Sequence, residues 1–343
     1  MTSTAPVAVL GAGIAGLSAA RVLAGRGREV VVVDKGRGPG GRASSRRATP
    51  FAFDHGAQYL TARDPRFLAE LEGWLAAGVA APWDGRIAVL EPGAAPRERP
   101  GTTRYVGTPH MSAIARHLAR DLDVRCGLRV ERLEHGGAGW YLRLATDGEV
   151  GPGDCAALGP FGQLVLTAPP AQAAALLGEA HPLGPGVAGV TLTPCWAAMV
   201  ALEAPYDVPF DGAFCGGEVL SWAARDSSKP GRPEGEAWVL HATAAWSEAH
   251  RGRPRPGIAA ALAGELAALC GAPLPGIVHA DAHFWGFAQP ASEVPVPLPH
   301  DPATGLVLAG DGYAGGRVEG AWLAGLEAAA LLDGPADPGP GAP

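Results

Sequence analysis

Residues 7–34 read VAVLGAGIAGLSAARVLAGRGREVVVVD, and the reading of this stretch decides the fold. Val7–Leu10 is a short, wholly apolar run, the pattern of a strand buried on both faces of a parallel sheet. It meets Gly11-Ala12-Gly13-Ile14-Ala15-Gly16, and a helical pattern from Leu17 to Leu23 follows until Gly25 and Gly27 break it. Val30–Val33 forms a second apolar strand that ends in Asp34. The spacing predicts a βαβ unit of about thirty residues. Gly11 allows the tight turn, Gly13 lets the backbone approach a pyrophosphate, and Gly16 lets helix and strand pack closely. The helix start at Ile14 and Ala15 presents free N–H groups and a partial positive charge to phosphates. Asp34, about twenty residues on, is placed to accept ribose hydroxyls and would repel a 2′-phosphate. The bland alternative is a glycine-rich turn with an incidental acid, in a chain that carries 50 glycines.

Working outward, 343 residues make about two domain-equivalents. With 47% hydrophobic and 18% charged residues the chain is too apolar for disorder. The net charge of −7 leaves no basic sheath for a phosphate backbone, so nucleic acid is not an expected partner. No apolar run approaches the ~18 residues of a membrane span, and Met1 to Pro6 carries no basic region or cleavage site of a secretory signal. Five scattered cysteines (Cys126, Cys155, Cys195, Cys215, Cys270) have no metal-ligand spacing and argue for a reducing, cytoplasmic setting with no metal and no disulfide framework.

Further along, Met111–Arg120 reads as a helix, and Val124–Ala145 as strands with His135–Gly139 as the turn. Leu164–Thr167 is an apolar strand stopped by Pro169-Pro170. Residues 187–245 alternate in short strand-like pieces that predict a second, mostly antiparallel layer. Ile258–Leu269 is an amphipathic helix, Leu306–Ala309 a last strand and Gly320–Leu332 a last helix. Asp333 to Pro343 is expected to be a disordered tail.

Asp34 is followed by Arg37-Gly38-Pro39-Gly40-Gly41-Arg42-Ala43-Ser44-Ser45, which resembles the flavoprotein amine-oxidase superfamily, where such a stretch continues the FAD site. Its two glycines would let the loop fold against the isoalloxazine, and Arg42 would offset pyrophosphate charge. Leu306–Asp311 and Gly315–Ala321 resemble the superfamily's second FAD motif. The resemblance implies that Asp311 bonds the ribityl chain and that N–H groups near Val318 face the flavin pyrimidine. Lys35, Gly56, Ala57, Gln58 and Val130 complete the expected contacts. Nothing resembles a covalent attachment loop, so FAD is expected to be non-covalent. The fold class is then α/β: a Rossmann-like FAD-binding domain of discontinuous segments (1–73, 106–175 and 276–332). A second, mixed, mostly antiparallel-sheet substrate domain (74–105 and 176–275) has the p-hydroxybenzoate hydroxylase or amine-oxidase form.

The segments Asp54–Asp64, Ser221–Pro230, Trp238–Thr243 and Gly316–Trp322 resemble the bacterial renalases, with a likeness running from Val7 to about Leu332. That resemblance implies oxidation of 2- or 6-dihydro isomers of NAD(P) by hydride transfer to flavin N5. O2 takes up the electrons and H2O2 is released. Carried over residue by residue, Gln58 would bond near the flavin or nicotinamide, and His241 would meet the substrate ring. Asp226 stands where the family commonly has Asn; an ionised Asp there would favour a pyridinium product, or it lies outside the pocket. Tyr59, Trp196, Trp222 and Trp285 are candidates for a stacking pocket around a flat ring. Core packing is the competing account for His241 and for each indole, and loop bracing for Gln58. His55 is a candidate base or packs under the flavin. Other classes stay open: an oxidase of a small amine, for which only Tyr313 offers a cage; a flavin-dependent hydroxylase or desaturase-like enzyme; and a flavin-binding sensor without turnover.

Overall fold

The computed structural model describes residues 5–145, 156–178 and 181–333. Cys155 and the tail expected after Asp333 lie outside the described residues. In chain order the first segment gives β1 (Val7–Leu10), α1 (Ile14–Gly25) and β2 (Val30–Asp34). The hairpin β3 (Arg46–Ala48) and β4 (Phe51–Phe53) follows, then α2 (Pro65–Ala76), β5 (Ala80–Pro82), β6 (Ile87–Leu90), β7 (Arg97–Glu98), β8 (Tyr105–Gly107) and α3 (Ser112–Leu118). Next come β9 (Asp123–Cys126), β10 (Val130–Gly136), β11 (Gly139–Leu144), β12 (Ala157–Phe161), β13 (Gln163–Leu166), α4 (Pro170–Leu177) and α5 (Gly184–Ala188). The second sheet is completed by β14 (Leu192–Leu202), β15 (Gly212–Cys215), β16 (Leu220–Arg225), β17 (Glu236–Ala242), α6 (Ala244–Ala249), α7 (Arg255–Cys270) and β18 (Ile277–Pro290). The chain closes with β19 (His300–Asp301), β20 (Leu306–Leu308) and α8 (Arg317–Asp333).

These elements form two compact units, residues 1–41, 115–191 and 290–343 in one, and 42–114 and 192–289 in the other. The first unit is built on a six-stranded sheet in the order β19-β20-β13-β1-β2-β9, in which β20, β13, β1, β2 and β9 run parallel. Its central strands are buried along their length, as their unbroken Val and Leu runs require. The strand order reverses at β1, so the crevice beyond the carboxyl ends of β1 and β13 is where a doubly wound sheet takes its ligand. Helices α1 and α8 pack at close range: a β-carbon on Gly325 would fall 2.4 Å from the Ala15 carbonyl oxygen. Asp333, expected in the tail, is instead the last residue of α8 and pairs with Arg26 and Arg28.

The second unit is built on a seven-stranded sheet in the order β18-β14-β17-β16-β15-β6-β7. Pairing is antiparallel at β14–β17, β17–β16 and β16–β15, and parallel at β15–β6. Side chains alternate between its faces. One face, with Trp196, Ala198, Val200, Trp238 and Leu240, is covered by α7 through Ile258, Leu262 and Leu266. On the other, Met199, Ala201 and Val239 pack against Phe53.

Residues 276–289, expected with the nucleotide-binding segments, group with this second sheet, because β18 is a long strand lying beside β14. Residues 42–73 group there too, held by β4 against β17 and by the burial of Asp54 beside Asp226. No helix of the described residues is long and apolar enough to cross a membrane.

Candidate functional site

In the first unit, β1 runs into the glycine turn at the point where the strand order reverses. Gly11 has φ +119°, and a β-carbon there would lie 2.2 Å from Thr167 Oγ1, just past the end of β13. A β-carbon on Gly16 would lie 2.0 Å from the Gly11 carbonyl oxygen, so turn and helix close on each other only with glycine at both positions. Gly13 differs: a β-carbon there meets nothing within 4 Å, which leaves open space at the N-terminus of α1. Backbone N–H groups free of intrahelical partners border that space, a setting suited to a phosphate.

Asp34 accepts from Ala12 N at 2.7 Å through Oδ2 and from Gly36 N at 2.6 Å through Oδ1. A carboxylate offers about four acceptor positions, so each oxygen keeps one for a ribose hydroxyl. The glycines of the 37–45 loop serve a role the sequence does not suggest. Gly40 N donates to Ala12 O at 2.9 Å, and a β-carbon on Gly41 (φ +53°) would stand 3.3 Å from Gly13 Cα, so the loop docks on the glycine turn.

Lys35 is exposed and donates to Gln172 Oε1 at 3.2 Å. Val130 is half-buried at the start of β10. Asp311 heads the turn into α8, its carbonyl accepting from Ala314 N at 3.0 Å and Gly316 N at 2.8 Å, and Val318 is buried in the first turn of that helix. Tyr313 is buried with its hydroxyl unpartnered.

In the second unit, Arg42 Nη1 donates to Ala288 O at 3.2 Å, and its carbonyl accepts from Ala57 N at 2.8 Å. A β-carbon on Gly56 would collide with that carbonyl at 1.9 Å. The 54–59 segment lies against the sheet face opposite α7. His55 is the hub: its carbonyl accepts from Trp285 Nε1 at 2.9 Å and stands 3.3 Å from His241 Nε2. Its ring centre is 5.0 Å from that of His283 and 5.1 Å from that of Trp285.

All three imidazoles are held neutral. Burial, then His283 and Arg46, pushes His55 down to about 3. Burial also takes His241 to about 4, and burial with Arg46 takes His283 to about 4. Farther along the same face, Tyr59 packs on Trp222 at 5.4 Å and on Trp83 at 6.4 Å, and Trp222 meets Phe214 edge-on at 4.9 Å. Gly212 makes room for this cluster, since its β-carbon would come within 3.0 Å of both Trp83 and Trp222.

Gln58 and Asp226 belong to a buried ionic cluster. Lys229 Nζ donates to Asp226 Oδ1 at 2.5 Å and to Gln58 Oε1 at 3.2 Å, and lies 3.8 Å from Asp54 Oδ2. Asp54 also pairs with Arg232, accepts from Ser45 Oγ at 2.6 Å and from Met111 N at 3.1 Å, and its own N–H donates to Asp226 Oδ2 at 3.1 Å. Gln58 Nε2 donates to the Asp54 carbonyl. Burial alone would push Asp54 up; Lys229, Arg232 and the hydrogen bonds more than offset it and hold the carboxyl below the usual range. At Asp226 burial prevails and its carboxyl is raised.

The structure therefore gathers His241, Tyr59, Trp222 and Trp285 on one sheet face, with Gln58 at its edge. It withdraws two expected residues. Asp226 is fully buried in the ion pair, with no open side toward a ligand. Trp196 points to the α7 face, where it packs on Phe284 at 4.9 Å and donates to His250 O at 3.2 Å; strand alternation places it opposite His241, whose register partner is Ala197.

Sequence reasoning missed Trp83, Phe214, Arg104 and the Asp54–Arg232–Lys229 cluster. One signal was present: Lys229 is one of 2 lysines among 27 basic residues. Among the described residues no set of three or more His, Cys, Asp or Glu is arranged to hold a metal ion.

Comparison with known proteins agrees with this geometry. A family profile for a NAD(P)-binding Rossmann-like domain matches residues 9–71. A profile for flavin containing amine oxidoreductase matches residues 97–332, about two thirds of the chain. Among solved structures, a protein assigned as a protoporphyrinogen oxidase from Exiguobacterium sp. 255-15 superposes with TM-score 0.73 at 11% identity, covering 97% of this chain and 99% of that one. Cyclohexylamine oxidase from Brevibacterium oxydans IH-35A gives TM-score 0.70 at 14% identity, covering 96% and 99%. A redesigned putrescine oxidase gives TM-score 0.67 at 13% identity, covering 96% and 98%. At these identities the likeness establishes the fold.

Proposed function

The chain belongs to the family of flavin-containing amine oxidoreductases, and from that premise we propose that it is an FAD-dependent oxidase of 2- or 6-dihydronicotinamide dinucleotides. One dihydronicotinamide, one O2 and one proton give one oxidised nicotinamide and one H2O2. The flavin, when bound, supplies the hydride acceptor and the route for the electron pair to O2.

The observation that carries this reading is the character of the sheet face: aromatic rings and three imidazoles whose conjugate acids lie at about 3 to 4. An ammonium substrate, with a pKa near that of lysine (~10.4), must lose a proton before it can be oxidised. Imidazoles depressed this far are poor acceptors for that proton. A dihydropyridine gives up only hydride and gains aromaticity, so it needs alignment rather than a base. Trp285, packed on His55 at 5.1 Å beside His241, supplies a wall for a flat ring. His241, fixed beside the His55 carbonyl, bonds to the ring's carboxamide, and Gln58, held by Lys229 and the Asp54 carbonyl, is preset at the edge. The open space at Gly13, the N-terminus of α1 and the free acceptor positions of Asp34 suit the FAD pyrophosphate and ribose.

A second reading, oxidation of a small amine, draws on the fold shared with cyclohexylamine and putrescine oxidases. Anaerobic mixing separates the two. The 2- and 6-dihydro isomers are expected to bleach the flavin band within the mixing experiment, with one peroxide per dihydronicotinamide when air is readmitted. Ordinary 4-dihydro-NADH, cyclohexylamine and putrescine are expected to leave it yellow. Bleaching by either amine moves the assignment to the second reading, and a protein that stays colourless after reconstitution with FAD overturns both.

A further inference from the structure

Arg104 lies just before β8, and its carbonyl accepts from Trp83 N at 2.8 Å, which fixes it beside the aromatic cluster. It is only 8% exposed. Its guanidinium carbon stands 5.1 Å from the centre of the Tyr59 ring and 6.0 Å from that of Phe214. Nη1 donates to Thr102 O at 3.1 Å, yet Nε has no acceptor, and among the described residues no carboxylate pairs with this charge. The indole Nε1 of Trp222, a residue 6% exposed, is likewise without an acceptor in the same cluster. At the rim the exposed Arg99 lays its guanidinium 4.4 Å from the Phe214 ring centre.

An unneutralised guanidinium and two unpaired N–H donors, all buried, are costly in the free protein. An oxyanion completes them, because the planar guanidinium matches phosphate geometry and the aromatic walls exclude water. A cationic ligand would instead meet a like charge. We propose that Arg104 and Trp222, with Arg99 at the rim, form a subsite for a phosphate of the substrate, walled by Tyr59 and Phe214. The subsite rests on the dihydronicotinamide reading only in naming a phosphate as its occupant.

The test uses the flavin-loaded protein, so that the FAD site is closed to the probe. ADP-ribose, the part of the dinucleotide that is not oxidised, is titrated while tryptophan fluorescence is followed. Binding is expected to weaken at least tenfold in Arg104→Met, to recover in part in Arg104→Lys, and to be competed by inorganic pyrophosphate. The kcat/KM ratio of dihydronicotinamide dinucleotide over its riboside should fall by a similar factor. If Arg104→Met does not fold, the wild-type protein decides: ADP-ribose affinity falls steeply with added KCl if the contact is ionic, and a salt-independent affinity overturns the subsite.

Affinity within twofold of wild type in Arg104→Met also overturns it. So does Arg104-dependent binding of benzoate without any binding of ADP-ribose, which identifies a carboxylate occupant. Arg104-dependent ADP-ribose binding in a protein whose flavin no dihydronicotinamide bleaches leaves the subsite standing and removes the proposed reaction.

Discussion

Lys229 shows what a single residue can hide. Its side chain is fully buried between Asp226, Asp54 and the Gln58 amide, so one ammonium balances parts of two carboxylates and fixes an amide at the edge of the candidate face. Removing one member of a buried pair leaves an uncompensated charge, at a cost of roughly 3–5 kcal/mol. Lys229→Met is therefore expected to lose about that much stability in urea denaturation, and Asp226→Asn in the same chain to restore part of it. Additive effects of the two substitutions would mean that the pair does not act as a unit. The sequence displayed Asp226 and Gln58 as polar residues in a resembling segment but not their depth, and depth is what separates a structural ion pair from a group that touches substrate. Asp34 was legible for the opposite reason: strand, glycine turn and acid lie within one short stretch, and local geometry alone fixes where the carboxylate points.

At the level of elements, the βαβ unit, the last strand and the last helix were readable because each carries its own period and breakers. The glycine turn yields a paired prediction. Gly13→Val points into open space, so it is expected to leave the melting temperature within a few degrees while abolishing flavin retention, read as the 450 nm to 280 nm absorbance ratio. Gly16→Ala drives a methyl onto the Gly11 carbonyl, and is expected to lower stability by about 1–3 kcal/mol, the usual cost of overpacking. Equal effects of the two substitutions on folding would contradict the open space at Gly13. β18 was not legible: its 14 residues mix His, Asp, Phe and Trp, because only its alternate positions face α7 and the strand follows no single apolar pattern. Trp196 fails by the same rule read finely. An indole on a strand is a pocket candidate only on the right parity, and parity depends on a register that pairs it with distant residues.

On the scale of the molecule, acid should be the weak side of this protein. His55, His241 and His283 are held at about 3, 4 and 4, whereas the unfolded chain titrates them near 6.5. Between those values the unfolded state binds more protons than the native one, so stability present above pH 6.5 is lost as pH falls. The melting temperature is expected to decline already between pH 6.5 and 5, above the ordinary carboxylate range; the raised carboxyl of Asp226 opposes this decline rather than causing it. A profile flat over that interval would show that the imidazoles are not held neutral by burial. The two-unit architecture was anticipated in outline, but its seams were not. Residues 42–73 and 276–289 join the second sheet through burial and strand neighbours far away in sequence, and nothing local to either stretch announces that.

The six-stranded sheet has a further consequence, for how the protein is made. Its centre, β1, is flanked by β2 and by β13, and β13 in turn by β20, while α1 is packed by α8. β1 thus emerges with β2 close behind it, while β13 follows only at Gln163–Leu166 and α8, which packs on α1, only at Arg317–Asp333. Through that interval a valine-rich edge and the apolar side of a helix stand bare, the condition under which nascent chains need chaperone cover. Synthesis is thus one stage at which this architecture is exposed to failure.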